Sequence, residues 1–226
     1  MRPLIAAGLT LSLTLVFAAC GGDDPDAPDG DEASPTAAAQ PTPAPATAVT
    51  STAGTVTSTT FAPAVSFDVP EGWTAVEDTA AGFVLEHIEG APPAEQAWIG
   101  VFIASDVRNP ENFGEAQPIP EDLTAWLAAN RHLIVVRGPT PVTLDGAPAS
   151  QIDVRTDTNF RPALFGLAGR PPEDRIDLNF RDYARFIEMQ DVEGGTIVIA
   201  SGAANQAYFD EVLPLIEPVI ASIDFE

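Results

Sequence analysis

The chain has 226 residues, and its 33 acidic and 10 basic side chains give a formal net charge of -23 at pH 7. This charge argues against nucleic acid as a partner, because a phosphate backbone is bound through a basic surface. All ten basic residues are arginines, so the chain lacks the lysine that Walker loops, Schiff-base enzymes and penicillin-binding-type hydrolases require.

Residues 1–19 have the anatomy of a bacterial signal peptide. Arg2 supplies a positive start, and an apolar run extends from Leu4 to Phe17. This run is shorter than the about 20 residues that span a bilayer. Two small alanines then precede Cys20, the only cysteine of the chain, in an order that resembles the bacterial lipobox, and this resemblance implies cleavage just before Cys20.

The sequence around Cys20 resembles the bacterial lipobox, in which a diacylglycerol is attached to the cysteine thiol, although Phe17 departs from the usual leucine. A lone cysteine cannot form an intramolecular disulfide or a multi-thiolate zinc site. An incidental thiol after an ordinary secretory signal is the alternative. The resemblance implies that lipid on Cys20 anchors the protein to the outer leaflet of the cell membrane, facing the extracytoplasmic side, without a transmembrane helix.

Residues 20–60 are predicted to be a disordered tether. Residues 23–32 are mostly acidic, and residues 33–60 are mostly Ala, Pro, Thr and Ser, so few large apolar side chains offset the entropy cost of folding. The acidic run resembles a calcium-binding EF-hand loop, but Pro28 occupies a ligand position and no helical pattern flanks the run. The run therefore predicts a solvated tether and no metal site.

Residues 61–226 are predicted to form a single globular domain, since they suffice for one hydrophobic core. Turn sequences at Asp145–Gly146 and Glu193–Gly195 predict that the segments on either side form antiparallel hairpins. Nine short apolar or alternating segments are typical of strands, and they begin at residues 65, 73, 82, 97, 132, 140, 150, 183 and 196.

A first helix is predicted from Pro120 to about Asn130. A proline followed by two acids is typical of a helix start, and Leu123 and Trp126 belong to an apolar stripe at helical spacing. We expect Trp126, and Trp73 in a strand segment, to be core anchors rather than ligand platforms.

A second helix is predicted after Asn205, which is a good N-cap residue. Pro214 and Pro218 interrupt its apolar stripe. Because each proline lacks an N–H donor and clashes with the carbonyl group four residues earlier, we expect a break or kink near Leu213. Many hairpin strands and few helices predict an α+β fold around an antiparallel sheet.

Five segments of the domain, taken together, are similar to a known family. They are FDVPEGW at 67–73, GFVL at 82–85, DLTAWL at 122–127, VTLDGAPASQIDV at 142–154 and FDEVLPLIEPVIASIDF at 209–225. In this order they resemble the PsbP-like lipoproteins, including the mycobacterial LpqN type. The resemblance implies an α/β/α sandwich around a central antiparallel sheet, a binding or scaffolding role and no enzymatic activity. Residues 155–180 depart from the family pattern.

Residues 159–179 are the longest part of the domain without a strand or helix pattern, and loops of this length are usually functional or disordered. Apolar side chains beside arginines suit a carboxylate-bearing partner. Two alternatives stay open: the arginines pair with neighbouring acids, or the apolar residues plug an edge of the sheet. The candidate contact residues are Phe160, Arg161, Phe165, Arg170 and Arg175.

The sequence predicts no catalytic residue, cofactor or metal. His87 and His132 are far apart and lack a metal-ligand spacing, and no Gly-x-Ser-x-Gly elbow occurs. We therefore expect a non-enzymatic binding or scaffolding module at the bacterial envelope, whose partner is an envelope protein or a small molecule. An envelope hydrolase with paired carboxylates and a purely structural wall-spacing lipoprotein are the alternatives.

Overall fold

The computed structural model describes residues 49–50, 53–87, 97–112, 115–156, 161–179, 182–192 and 195–226, which contain fourteen strands and two helices. The strands are β1 (Val49–Thr50), β2 (Gly54–Thr57), β3 (Val65–Val69), β4 (Trp73–Thr79), β5 (Gly82–His87), β6 (Ala97–Arg108), β7 (Ala116–Gln117), β8 (Leu133–Leu144), β9 (Ala147–Thr156), β10 (Ala163–Leu167), β11 (Arg175–Asp177), β12 (Tyr183–Val192), β13 (Gly195–Ala203) and β14 (Asp224–Phe225). The helices are α1 (Leu123–Ala129) and α2 (Gln206–Ala221).

A large antiparallel sheet organises these elements. Its strands run in the order β1-β4-β5-β6-β13-β12-β9-β8. The second half of the long strand β6 leaves this path and pairs with β10 and β7, while β14, β3 and β2 form a separate three-stranded sheet. The described residues are thus broadly α+β and mostly antiparallel sheet, as the sequence predicts.

Side chains of the sheet alternate between two cores. Along β13, Ile197 and Ile199 lie in one core, whereas Val198 and Ala200 lie in the other, because successive strand residues point to opposite faces. Helix α2 contributes to the first of these, the α2 core, and helix α1 to the second, the α1 core. Burial on both faces explains why β13 is almost continuously apolar.

The nine predicted strand segments all overlap observed strands, but those at 132 and 140 form one strand, β8. The chain passes through Gly138 with a φ of 86°, and the register against β9 shifts on both sides of Arg137. Because of these irregularities β8 continues as one strand through residues 138–139, where the sequence predicts a break between two strands. Asp145 and Gly146 have φ values of 47° and 72°, as a two-residue hairpin turn requires.

Helix α1 lies within the predicted range but begins at Leu123, three residues after the predicted start at Pro120. The side chain of Asp122 caps it by accepting a hydrogen bond from the backbone N–H of Ala125 at 2.7 Å. Trp73 is 1% exposed and lies in the α2 core, which confirms it as a core anchor. Trp126 is only half-buried against the α1 core, so its share in that core is smaller than expected.

Helix α2 is continuous across Pro214 and Pro218, so of the predicted break or kink near Leu213 the break is wrong. Both prolines are exposed, whereas Val212 and Ile216 are buried. Residues four apart share a helix face, and the carbonyl groups left without donors on a solvent-facing side can be hydrated. The prolines therefore leave the packed apolar face of α2 intact.

The domain begins before residue 61, so the predicted boundary is too late. β2 pairs with β3, and the Thr55 hydroxyl donates a hydrogen bond to the Asp68 carboxylate at 2.7 Å. Threonine and valine are β-branched and suit strands, which the Thr-rich composition conceals. Residues 1–48, which include the predicted signal peptide, Cys20 and most of the predicted tether, lie outside the described residues. Within the part of the chain that is described, no helix is long and apolar enough to cross a membrane.

Candidate functional site

Residues 161–179 contain the strands β10 and β11 instead of forming an open loop. β10 pairs with β6 on one side and with β11 on the other. Leu164 and Phe165 are 0% exposed, and the Phe165 ring packs edge-on against Phe186 in the α1 core, with 5.7 Å between ring centroids. The expectation that Phe165 contacts a partner is therefore wrong, and the geometry matches the sheet-edge alternative. Phe160 lies outside the described residues.

The candidate arginines of this segment are engaged by acids of the same chain. Arg175 Nε lies 3.0 Å from an Asp177 oxygen, and Arg161 Nη2 lies 3.6 Å from the other oxygen. Arg170 forms an ion pair with Glu77 of β4. Local pairing thus occupies guanidinium groups that the predicted surface would offer to a partner.

A different cleft, of about 260 Å³, lies between the strands β8, β9 and β12 and the end of helix α2. Its walls include Leu144, Ile187 and Ile220, and its charged residues are Arg185 and Glu217. We call this site the arginine cleft. It combines apolar walls with a few fixed polar groups, as ligand sites generally do.

Arg185 is held by two carboxylates of very different exposure. Its Nε and Nη2 donate to the two oxygens of Asp153 at 2.7 and 2.9 Å, and its Nη1 donates to Oε1 of Glu217 at 2.9 Å. The side chains of Arg185 and Asp153 are 5% and 0% exposed, whereas that of Glu217 is 57% exposed. Burial opposes the charge of Arg185, but these hydrogen bonds and charges raise the pKa of its guanidinium above the ordinary value. Arg185 is therefore a permanent cation in the cleft.

The fold positions this group through strand register. Arg185 lies two residues before Ile187 on β12, so both side chains point toward α2. Asp153 of β9 is the cross-strand partner of Arg185, which brings the two side chains together on one face. Glu217 reaches the same cation from α2. Three elements that are distant in sequence thus meet at the arginine cleft.

Arg137 of β8 extends the ion-pair network to the surface. Its Nη2 lies 3.2 Å from Oδ1 of Asp210 on α2, and its Nη1 lies 3.8 Å from Oδ2 of Asp153. Arg137 is 54% exposed. The buried Asp153 carboxylate is therefore shared between an enclosed guanidinium and an exposed one.

Two further clefts, of about 490 and 320 Å³, share Glu121 and Gln190 beside the start of α1. Glu188 lines the smaller one, is 4% exposed, and accepts the backbone N–H groups of Leu123 and Thr124 at 3.1 Å each. The first N–H groups of a helix have no intrahelical partner. The Glu188 carboxylate therefore caps α1, and its role in the smaller cleft is structural.

Asp78 lies outside these clefts and has a shifted pKa. Burial opposes the shift, but hydrogen bonds from the N–H groups of Thr59 and Phe61 and the hydroxyl of Ser58 lower the pKa of Asp78 below its ordinary value of 3.8. A carboxylic acid with a lowered pKa is ionised at neutral pH and is a poor general acid. Among the described residues, no group of three His, Cys, Asp or Glu side chains is placed to hold a metal ion.

Comparison with protein families and with curated proteins finds no match. Among solved structures, the chain is similar to the cyanobacterial PsbP protein CyanoP of Synechocystis sp. PCC 6803, with a TM-score of 0.38, 13% identity, and coverage of 78% of this chain and 95% of that chain. It is also similar to a protein from Bacteroides thetaiotaomicron VPI-5482, with a TM-score of 0.34, 11% identity and coverage of 72% of this chain. The chain spans 45% of the length of the Bacteroides protein.

Proposed function

We propose that this chain is a lipid-anchored, extracytoplasmic binding module of the bacterial envelope, with the arginine cleft as its ligand site. The anchor is lipid on Cys20, which follows the small residues of a lipobox-like sequence. The domain is a PsbP-like lipoprotein domain of the LpqN type, in which α1 and α2 are the outer layers of an α/β/α sandwich. Packing of the two helices into different cores supports this arrangement.

The observation that carries the binding role is a buried permanent cation in a cleft with apolar walls. The Asp153 carboxylate holds Arg185 through two parallel hydrogen bonds, so the orientation of the guanidinium is fixed before a ligand arrives. Fixed polar groups in an apolar cleft orient a ligand at little entropic cost. The site therefore suits recognition of one polar group attached to an apolar body.

The same groups favour binding over catalysis. Arginine stays protonated at all physiological pH values, whereas general acid–base catalysis uses a group whose pKa lies near the working pH. Glu217, the other charged residue of the arginine cleft, is engaged by Arg185. The envelope-hydrolase alternative requires two converging carboxylates, and the wall-spacing alternative requires no ligand.

The anchor is tested by labelling bacteria that express the wild-type chain or Cys20→Ser with radioactive palmitate. Wild-type protein is expected to carry label and to enter the detergent phase, and Cys20→Ser protein is expected to do neither. A Cys20→Ser protein that is labelled, or that enters the detergent phase and is cut at the same site, contradicts lipid attachment at Cys20.

The binding role is tested by incubating the mature protein with a small-molecule extract of the envelope and identifying the retained compounds by mass spectrometry. Ala221→Trp places an indole at an exposed position that lines the cleft. Leu215→Trp is the matched control, since Leu215 lies on the same helix and is 46% exposed. Wild type and Leu215→Trp are expected to retain the same compounds, and Ala221→Trp to lose them.

Three other outcomes would each contradict a different part of the proposal. Retention by Ala221→Trp places the ligand site elsewhere. Chemical conversion of a retained compound favours the hydrolase alternative. A wild-type protein that retains nothing favours the wall-spacing alternative.

A further inference from the structure

We infer that the arginine cleft binds a monovalent carboxylate with an apolar tail, and that this ligand takes the place of Glu217 on Nη1 of Arg185. The inference rests on the proposed binding role and adds the class of ligand and the way in which it enters.

The two carboxylates that hold Arg185 differ in how easily they can be replaced. Asp153 is 0% exposed and uses both oxygens, whereas Glu217 is 57% exposed and bonds through Oε1 at 2.9 Å. Removing one member of a buried pair leaves an uncompensated charge, which is strongly unfavourable. An exposed single contact contributes little, because water and salt screen it. Glu217 is therefore the contact that a ligand can displace.

The shape of the guanidinium favours a carboxylate as the displacing group. A guanidinium presents five N–H groups in a planar fork, and Asp153 occupies the edge formed by Nε and Nη2. The end formed by Nη1 and Nη2 has the geometry for a second bidentate carboxylate. Glu217 bonds to Nη1 at this end, and a ligand carboxylate can meet both nitrogens there.

The charge of the site favours a monovalent anion. When the Glu217 side chain rotates out of the cleft into solvent, Arg185 and Asp153 form one neutral pair, and Arg137 and Asp210 form another. A ligand carboxylate then restores the single negative charge that Glu217 supplied. A divalent anion would add a further charge beside Asp153 and Asp210, in a chain whose formal net charge is already -23.

The walls of the arginine cleft fit an apolar tail. Leu144, Ile187 and Ile220 line it and belong to the α2 core, and Val142 also lines it and packs against that core. Apolar surface that leaves water on binding contributes favourably in proportion to its area. Octanoate, with its unbranched hydrocarbon tail, is therefore a suitable probe for a cleft of about 260 Å³.

The test is calorimetric titration of octanoate into the chain from residue 20 to residue 226, with Cys20→Ser so that no lipid is attached and no detergent is needed that could compete for the cleft. Glu217→Ala removes the internal competitor and is expected to bind octanoate up to about fivefold more tightly. This gain corresponds to the largest free energy that an exposed ion pair usually contributes. Glu211→Ala is the matched control, because Glu211 is an exposed acid on the same helix outside the cleft lining. Its affinity for octanoate is expected to match that of the wild type within about twofold, as a rim charge outside the contact changes little.

Octanamide, which has the same tail and no charge, is titrated in parallel and is expected to gain nothing from Glu217→Ala. Equal octanoate affinity in Glu217→Ala and the parent, or an equal gain for octanamide, overturns displacement of Glu217. If octanoate does not bind but envelope compounds are retained by the wild type and lost in Ala221→Trp, the ligand class is wrong and the proposed function stands. If neither binds, both proposals fall.

Discussion

At the scale of single residues, burial decides which ion pairs matter for folding. Arg131 and Glu111 approach to 2.7 Å, as Arg185 and Asp153 do, but their side chains are 49% and 65% exposed. Exposed pairs are screened by water and salt. A buried charge that loses its partner cannot be solvated. The two ion pairs therefore contribute unequally to stability, although their distances are equal.

We predict that Arg185→Met destabilises the domain by about 3 to 5 kcal/mol, because among the described residues it leaves the buried, charged Asp153 paired only with the exposed Arg137 at 3.8 Å. Arg131→Met should cost less than about 1 kcal/mol. Urea denaturation of both variants measures these differences. The double variant Arg185→Met, Asp153→Leu should regain much of the loss. A double variant as unstable as Arg185→Met would show that the unpaired Asp153 charge is not the cause.

At the scale of elements, the sequence predicts strands whose apolar or alternating runs are bounded by turn signals, including β13, which is buried on both faces, but it misses β10. β3, β4 and β5 were predictable because their apolar residues stand between clear turn signals. β10 is buried at three successive positions, 164–166, and therefore shows no alternation. Its formation depends on β6 extending beyond Ile103 to offer a pairing edge. Such a partner is distant in sequence and cannot be deduced from the segment itself.

The course of strand β8 depends strongly on the glycine at position 138, which the sequence alone does not reveal. At Gly138, φ is 86° and an added Cβ would lie 2.6 Å from the backbone carbonyl oxygen of Gln151. At Gly146, φ is 72° but nothing lies within 4 Å of an added Cβ. Both sites oppose a side chain through backbone strain, and only Gly138 adds a clash with backbone that cannot rotate away.

We predict that Gly138→Ala lowers the free energy of unfolding by about 1 to 3 kcal/mol more than Gly146→Ala does. Both substitutions strain the backbone to a similar extent, and at Gly138 the added methyl group also clashes with its surroundings. Urea denaturation of the two variants, compared with the wild type, measures the difference. Equal losses would mean that β8 shifts freely against β9 at this point and that the close approach is unimportant.

At the scale of the whole molecule, the arginine cleft shows what a sequence can and cannot reveal. The strand pattern places Arg185 on the same face as Ile187, so a charge on an apolar face was visible. Its partner was not, because Asp153 is one acid among 33 and only the β9–β12 register joins the two residues. Clustering of arginines in sequence pointed instead to residues 159–179, where neighbouring acids already pair with them.

Asp78 accepts hydrogen bonds from residues 58–61 at the start of the domain, and its ionisation makes the stability of this contact depend on pH. Its pKa is lowered in the folded state, so its contribution to stability is complete above the unfolded value of about 3.8 and is lost as pH falls through the folded value. We predict that the advantage of the wild type over Asp78→Asn in melting temperature shrinks as pH falls below this value. Asp224→Asn, at an exposed position, is the control. A constant difference between wild type and Asp78→Asn down to pH 2 would contradict the assignment.

The start of the domain is tested by truncation. A chain that begins at Val49 keeps β1 and β2, whereas one that begins at Phe61 loses the pairing of β2 with β3, the packing of Val56 against the α2 core and the hydrogen bonds from Thr59 to Asp78. We predict that the Val49 chain melts at the same temperature as one beginning at Gly21. The Phe61 chain should melt several degrees lower, because a loss of about 1 kcal/mol shifts the midpoint by about 2 to 8 °C in domains of this size range. Equal midpoints for all three chains would mean that β1 and β2 add nothing to stability, and would restore the boundary at residue 61 that the composition indicates.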